Sequence, residues 1–223
     1  MDIWTKLRRF EFLGEFVRRV DTDEADQNPE ADQNPRVVAL TFDDGPNPPY
    51  TNQILDVLDR YRIKATFFVV GRNVERHPET ARLVLSKGHE LGNHSYSHTR
   101  MIFKSPAFVR SEVERTDRLL RGLGVTRETH FRPPYGRKML ILPYIIARMH
   151  KKNIMWDVDS TDYEVFDPET IVKRVLRCVR PGSIILLHDG EGDRSHTVTA
   201  IGMLIEDLRK EGYEFRTVSE LIS

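Results

Sequence analysis

Two adjacent carboxylates, Asp43 and Asp44, close the apolar run Val37 to Phe42 and are followed at once by Gly45-Pro46. Neighbouring acids at the end of a buried strand repel each other unless one is protonated or a cation sits beside them. Further along, His94-Ser95-Tyr96-Ser97-His98 offers two imidazoles at i, i+4, which face the same way on a helical turn or an extended segment. Two histidines and one carboxylate suit a catalytic zinc ion, which accepts imidazole nitrogen and carboxylate oxygen and keeps a position for water. Spacing alone does not say which aspartate would join them. The zincin signature is absent: no Glu follows His94, and the fifth residue of His89-Glu90-Leu91-Gly92-Asn93 is Asn.

Three further segments carry groups of the same kind. Arg132-Pro133-Pro134-Tyr135-Gly136 presents a guanidinium on a backbone stiffened by two prolines, Asp159-Ser160-Thr161-Asp162-Tyr163 brings two acids, and the run Ile184 to Leu187 ends in His188-Asp189. Each by itself reads equally well as a structural turn, a capped loop or a satisfied histidine. Five polar constellations, each at the end of an apolar run, point jointly to one reactive site.

The elements that must position these groups alternate. Val37 to Phe42, Ala65 to Val70, His89 to Gly92, Thr129 to Arg132, Ile154 to Val158, Ser183 to Leu187 and Tyr213 to Thr217 are expected strands. Between them lie helical patterns: Ile54, Leu55, Leu58 and Tyr61 mark one face, Pro78 opens another helix, and Ser105-Pro106 is a cap followed by an N1 proline. Gly88, Gly124 and Gly212 stand where C-terminal caps belong. This is an α/β pattern, a parallel sheet covered by helices, and roughly seven repeats in this length suggest a small or incomplete barrel. Reactive groups then gather at the C-terminal ends of the strands.

Composition narrows the class. The chain has 223 residues, enough for one principal core, with 39% hydrophobic and 30% charged residues and no apolar run long enough for a membrane helix. Lys+Arg and Asp+Glu both number 34, so the global positive field of a generic nucleic-acid binder is missing and a neutral substrate fits better. The single cysteine, Cys178, excludes an internal disulfide and a cysteine zinc cluster; its place in the rhythm Ile171, Val172, Val175, Leu176, Val179 suggests a core position.

Trp4, Leu7, Phe10, Phe12, Leu13, Phe16 and Val17 recur at helical spacing among basic residues, which predicts an amphipathic helix. Residues 21–35 hold six acids, no Lys or Arg, and the repeat Ala25-Asp26-Gln27-Asn28-Pro29, Ala31-Asp32-Gln33-Asn34-Pro35, as a linker would. The expected division is therefore 1–35, helix and linker, and 36–223, catalytic domain. The N-terminus has no apolar segment of a secretory signal, so as written the chain is expected in the cytoplasm, extracytoplasmic if a targeting segment has been removed.

The five segments, in this order and spacing, resemble the motifs of the polysaccharide deacetylase family, the NodB-homology domain of carbohydrate esterase family four. The likeness runs over about residues 36–222 and takes in Lys64 to Gly71 and Trp156-Asp157-Val158-Asp159. It implies a distorted (β/α) barrel of seven repeats, a (β/α)7 relative of the TIM barrel. It also implies hydrolysis of N-acetyl groups on an oligo- or polysaccharide such as chitin, chitooligosaccharide or peptidoglycan; a monomer is expected, and the charge balance argues against a nucleic-acid partner. Xylan acetyl esters, a small amide, or carbohydrate binding without turnover are the alternatives.

Carried onto matching positions, the resemblance gives the metal to Asp44, His94 and His98, most simply Zn²⁺ with Co²⁺ as substitute. Asp43 would be the general base, Arg132 would hold it, and the Tyr135 backbone N–H would stabilise the oxyanion. His188, charged and oriented by Asp162, would protonate the leaving nitrogen. Leu186, Trp156 and Tyr163 would form the slot for the acetyl methyl. Tyr163 stands where the family usually has Trp, and Thr99 where Pro commonly follows the second histidine. His77, His130, His150 and His196 are expected to be surface or structural.

Overall fold

The computed structural model describes residues 16–20, 36–136 and 141–223. Its centre is β2 (Arg36–Asp43), an eight-residue strand whose last six positions are all buried, as a strand covered on both faces must be. Parallel strands β3 (Thr66–Val69), β4 (Glu90–Asn93), β6 (Val158–Asp159) and β7 (Ile184–His188) extend it in the order β4-β3-β2-β7-β6. β8 (Tyr213–Phe215) pairs with the first residues of β2, while β3 and β7 pair with its later part.

The sheet closes by single bridges. Phe131 links Asn93 to Asn153, which starts β5 (Asn153–Ile154), and β5 pairs in parallel with β1 (Phe16–Val17). From there Arg19 bridges back to Ser183 beside β7, and the Val20 N–H donates to the Gly182 carbonyl. The ring of pairings is continuous but ragged, which is the distorted barrel expected.

Around it lie α1 (Tyr50–Arg60), α2 (Gly71–Arg76), α3 (Pro78–Ser86), α4 (Pro106–Gly122), α5 (Ile141–Arg148), α6 (Pro168–Cys178), α7 (Ser195–Lys210) and the short α8 (Val218–Leu221). Their apolar stripes pack on the strands: Ile54, Leu55 and Leu58 of α1 and Ile201, Leu204 and Leu208 of α7 are fully buried with Leu40 and Phe42. Each such side chain contributes about 1.5–3 kcal/mol on burial. The capping signals appear as expected. Ser105 accepts from the Phe108 N–H at the start of α4, and Gly88, Gly124 and Gly212 adopt positive φ of 77°, 99° and 81° at helix ends.

Four expectations are corrected. Phe16 and Val17, placed above on a helical face, are strand residues: Val17 is buried against Ile154, and its carbonyl accepts from the Met155 N–H at 2.7 Å. The stretch 16–20 thus docks on the barrel, while the remainder of the N-terminal helix and the linker lies outside the described residues. The expected strand 129–132 is reduced to the bridges at Phe131, and the run 154–158 divides into β5 and β6, which pair with different neighbours. Cys178 is exposed, because it ends α6 a turn beyond Val175, the last buried residue of that helix.

Candidate active site

Strand register sets the first juxtaposition. In the β2–β7 ladder Asp43 is the direct partner of His188 and Thr41 of Leu186, while β6 sets Asp159 opposite Leu186. The C-terminal ends of three neighbouring strands therefore deliver a carboxylate, an imidazole and an apolar side chain to one mouth, a cleft of about 330 Å³. Asp43, Asp44, His94, His98, Tyr135, Trp156, Tyr163, Leu186 and His188 all line it. Arg132 and Asp162, both fully buried, stand behind its wall.

Local backbone aims the ligand-type groups. Asp44, Ser95, His98 and Tyr135 have φ of 76°, 66°, 56° and 60°, a left-handed conformation that costs a residue other than glycine about 1–3 kcal/mol. Four such residues around one cleft are held by their surroundings. The Asp44 carbonyl accepts from Asn73 Nδ2 at 2.8 Å; Asn93 Oδ1 accepts from the Ser95 N–H at 2.8 Å, and Ser95 Oγ from the His98 N–H at 3.0 Å. Ser97 Oγ lies 2.7 Å from Thr99 Oγ1, so the hydroxyl that replaces the usual proline takes part in the loop.

Asp44, His94 and His98 present one ligand atom each, all within 4.8 Å of one another and all on buried residues. His94 Nδ1 is 2.7 Å from the Arg132 carbonyl, which can only accept, so Nδ1 carries the proton and the Nε2 lone pair faces the aspartates. Asp44 Oδ1 lies 3.0 Å from His98 Nε2 and 3.4 Å from His94 Nε2, yet it is a buried oxygen without a hydrogen-bond partner. A buried acceptor left without a donor costs about 1–3 kcal/mol or more, and a cation between these three atoms removes that cost. Burial pushes the Asp44 carboxyl upward, but the hydrogen bond and charge that His94 offers when protonated, with smaller help from His98 and His188, override it and hold the group well below the usual carboxylate range. The three residues could hold a metal ion.

Arg132 is held by hydrogen bonds from all three of its guanidinium nitrogens. Its Nη1 donates to Asp43 Oδ1 and Thr41 Oγ1, both at 2.7 Å, its Nη2 to the Met155 carbonyl at 3.0 Å and its Nε to the Ile154 carbonyl at 3.2 Å. The guanidinium also stacks over Phe68, 4.1 Å from the ring centroid. A buried cation is tolerated only when paired and hydrogen-bonded in this way, and the pairing leaves Asp43 Oδ2 turned toward the cleft, 3.6 Å from His94 Nε2.

Across the cleft both oxygens of Asp162 are saturated. Oδ1 lies 2.7 Å from His188 Nδ1 and accepts from Ser160 Oγ at 3.1 Å; Oδ2 accepts from the His188 N–H and from Thr197 Oγ1, both at 2.9 Å. Burial pushes the His188 imidazole toward its neutral form, but the hydrogen bond and charge of Asp162, with smaller help from Asp44 and Asp43, raise it to about 9. Tyr163 stands edge-on to this ring, with centroids 5.3 Å apart, and Leu186 is buried below. Tyr135, half exposed, tilts over His98 at 4.7 Å.

The structure adds residues that the motifs do not single out. His196, expected to be surface or structural, is buried and donates from Nε2 to the Asp162 carbonyl at 2.8 Å. Glu191 sets Oε1 3.4 Å from His98 Nδ1. Asp189 is fully buried beside Gly45, with Oδ2 accepting from Thr51 Oγ1 at 2.6 Å and Oδ1 without a partner; burial pushes its carboxyl up to about 7. Its only sequence signal is its place after His188.

The family model for polysaccharide deacetylase matches residues 30–154. A peptidoglycan-N-acetylglucosamine deacetylase of Bacillus cereus is 36% identical over 195 residues, which is 86% of this chain and 91% of that one. A chitooligosaccharide deacetylase of a Bradyrhizobium species is 37% identical over 198 residues, 83% of this chain and 90% of its own. Among solved structures, a CE4 family pseudoenzyme from Bacillus anthracis superposes with a TM-score of 0.81 at 28% identity, over 93% of this chain and 69% of that one. Fold, ordered motifs and these matches agree, and the chain belongs to the polysaccharide deacetylase family.

Proposed function

We propose that the protein removes acetyl groups from the N-acetylated sugars of an oligo- or polysaccharide, N-acetylglucosamine units of chitooligosaccharide or peptidoglycan, and that it does so as a monomer with Zn²⁺, replaceable by Co²⁺. The observation that carries this reading is the partnerless Asp44 Oδ1 between two imidazoles, facing a protonatable His188 across one cleft. Asp44, His94 and His98 would hold the ion. When bound it supplies Lewis-acid polarisation of the acetyl carbonyl and acidifies a water.

The chain's own groups do the rest. Asp43, paired with and aimed by Arg132, takes the proton of the attacking water through Oδ2. The Tyr135 N–H donates to the oxygen on which negative charge develops. An amide nitrogen leaves only once protonated, and His188 Nε2 supplies that proton, since Nδ1 is occupied by Asp162. Leu186, Trp156 and Tyr163 bound the space for the methyl group and disfavour longer acyl chains. Likeness of fold alone would not carry turnover, because a similar solved structure is a pseudoenzyme; the complete set of acid, base and ligand groups does.

The test is mass spectrometry of products from metal-stripped protein reloaded with zinc, cobalt or nothing. Acetate loss from chitooligosaccharides or peptidoglycan fragments, present with either metal and absent without, is expected. Release from acetylated xylan alone would move the substrate to an ester, and binding without release from fully loaded protein would make the chain a carbohydrate-binding relative.

A further inference from the structure

A second cleft, about 550 Å³, shares no residue with the first. It lies between α4, the turn 125–129 and the end of α5. α4 presents Arg110, Glu114, Asp117, Arg118 and Arg121 to it, at i, i+4, i+7, i+8 and i+11, one stripe of the helix. Lys151 is already engaged: it pairs with Asp117 at 3.0 Å and donates to the Thr129 carbonyl at 2.8 Å.

The arginines are not engaged. Arg110, Arg118, Arg121, Arg127 and Arg148 are exposed, and among the described residues their guanidiniums make no hydrogen bond or ion pair. Arg121 and Arg148 complement the negative ends of their helices. Arg110, Arg118 and Arg127 have no such reason to be there. With Lys151 and Asp117 cancelling, five positive groups face two acids, Glu114 and Glu128, an excess of three in a chain whose charges balance at 34 and 34.

We propose that this cleft binds a linear phosphate-bearing polymer. Several guanidiniums carried by three segments that line one cleft suit tetrahedral phosphates, which accept from more than one fork at once, better than planar carboxylates, each of which one fork satisfies. The stripe from Arg110 to Arg121 spans about 16 Å at 1.5 Å per residue, long enough for successive phosphates of one chain. Among the described residues no aromatic side chain lines the cleft, so they offer no stacking platform of a single-stranded nucleic-acid site. The surface is concave and carries two acids, unlike the basic face that lies on an anionic membrane. The cleft would hold the enzyme on a phosphate-rich matrix while the catalytic mouth works elsewhere.

The test is binding of inorganic polyphosphate to the whole protein at low salt. Arg118→Glu/Arg121→Glu should weaken it at least about tenfold, a change of about 1.4 kcal/mol, and make it less salt-sensitive. Arg127→Glu/Arg148→Glu, from the opposite wall, should do the same, which keeps the test open if the helix variant does not fold. Both variants should keep a cooperative thermal transition, lowered only slightly for want of the helix-end cations, and neither should change kcat/KM on a soluble N-acetylated oligomer. Undiminished polyphosphate binding in both variants overturns the proposal. So does equal or tighter binding of poly-glutamate, oligo-thymidylate or anionic lipid vesicles by the parent protein.

Discussion

Asp44 and Asp162 are both buried aspartates beside histidines in the same cleft, and they differ in how their oxygens are used. Asp162 has all its contacts filled by His188, Ser160 and Thr197, so nothing further is needed for it to be stable as an anion. Asp44 keeps Oδ1 without a donor while two imidazoles close in on it, on a backbone held at φ 76°. Saturation thus separates a group that positions from a group that awaits a ligand. Burial alone does not separate them, since relative exposures of 5% and 0% place both in the interior.

The comparison breaks most visibly on the unsaturated side. Asp44→Ala should lose the metal, measured by elemental analysis, and with it all measurable deacetylation. Retention of stoichiometric metal in that variant would show that Oδ1 awaits nothing. Asp43→Asn should differ in kind: metal stays, affinity for the acetylated sugar survives, and kcat falls by about 10²–10⁴-fold for want of the base. A metal-free Asp43→Asn protein, or one with parental turnover, would reverse the assignment of the two neighbours.

On the saturated side the expected losses are smaller and depend on pH. Asp162→Asn should keep the metal and lower kcat by about 10²-fold, the low end of general acid–base effects. The sign follows from the raised imidazole. His188 is protonated below its folded value, so activity falls as pH rises through a limb above the ordinary 6.5 and up to about 9. A cation on Asp44 offsets the share of that rise due to Asp44 and Asp43, and the hydrogen bond to Asp162 remains. The Asp162→Asn protein should show the limb displaced to lower pH; an unmoved limb in a pH–rate profile would detach Asp162 from the acid. Smallest of all, Tyr163→Trp should alter KM and kcat less than about tenfold, because the ring touches His188 only edge-on while Asp162 fixes the imidazole. A loss comparable with that of Asp162→Asn would place Tyr163 in the proton-transfer machinery.

Apolar periodicity, proline and glycine punctuation and the order of five motifs made the α/β pattern and the main site groups legible in the chain itself. Those signals are local: a strand that ends in Asp43-Asp44 or Leu187-His188 announces itself within its own neighbours. Helix starts and stops were legible for the same reason, as Ser105-Pro106 and Gly124 show.

The rest depends on contacts far apart in sequence. Two-residue strands such as β1 and β5 have no period to detect; they exist because Val17 finds Ile154 in a distant part of the chain. Cys178 followed the apolar rhythm of α6 yet fell outside, since the helix outruns the surface it covers. His196, Thr197 and Asp189 carry no motif, and their service to Asp162 and to the turn at Gly45 emerges only when α7 and β7 fold over the cleft. Chain order set which chemical groups were available and on which elements. The fold settled which of their lone pairs were filled, because saturation is a property of three-dimensional neighbours and not of position along the chain.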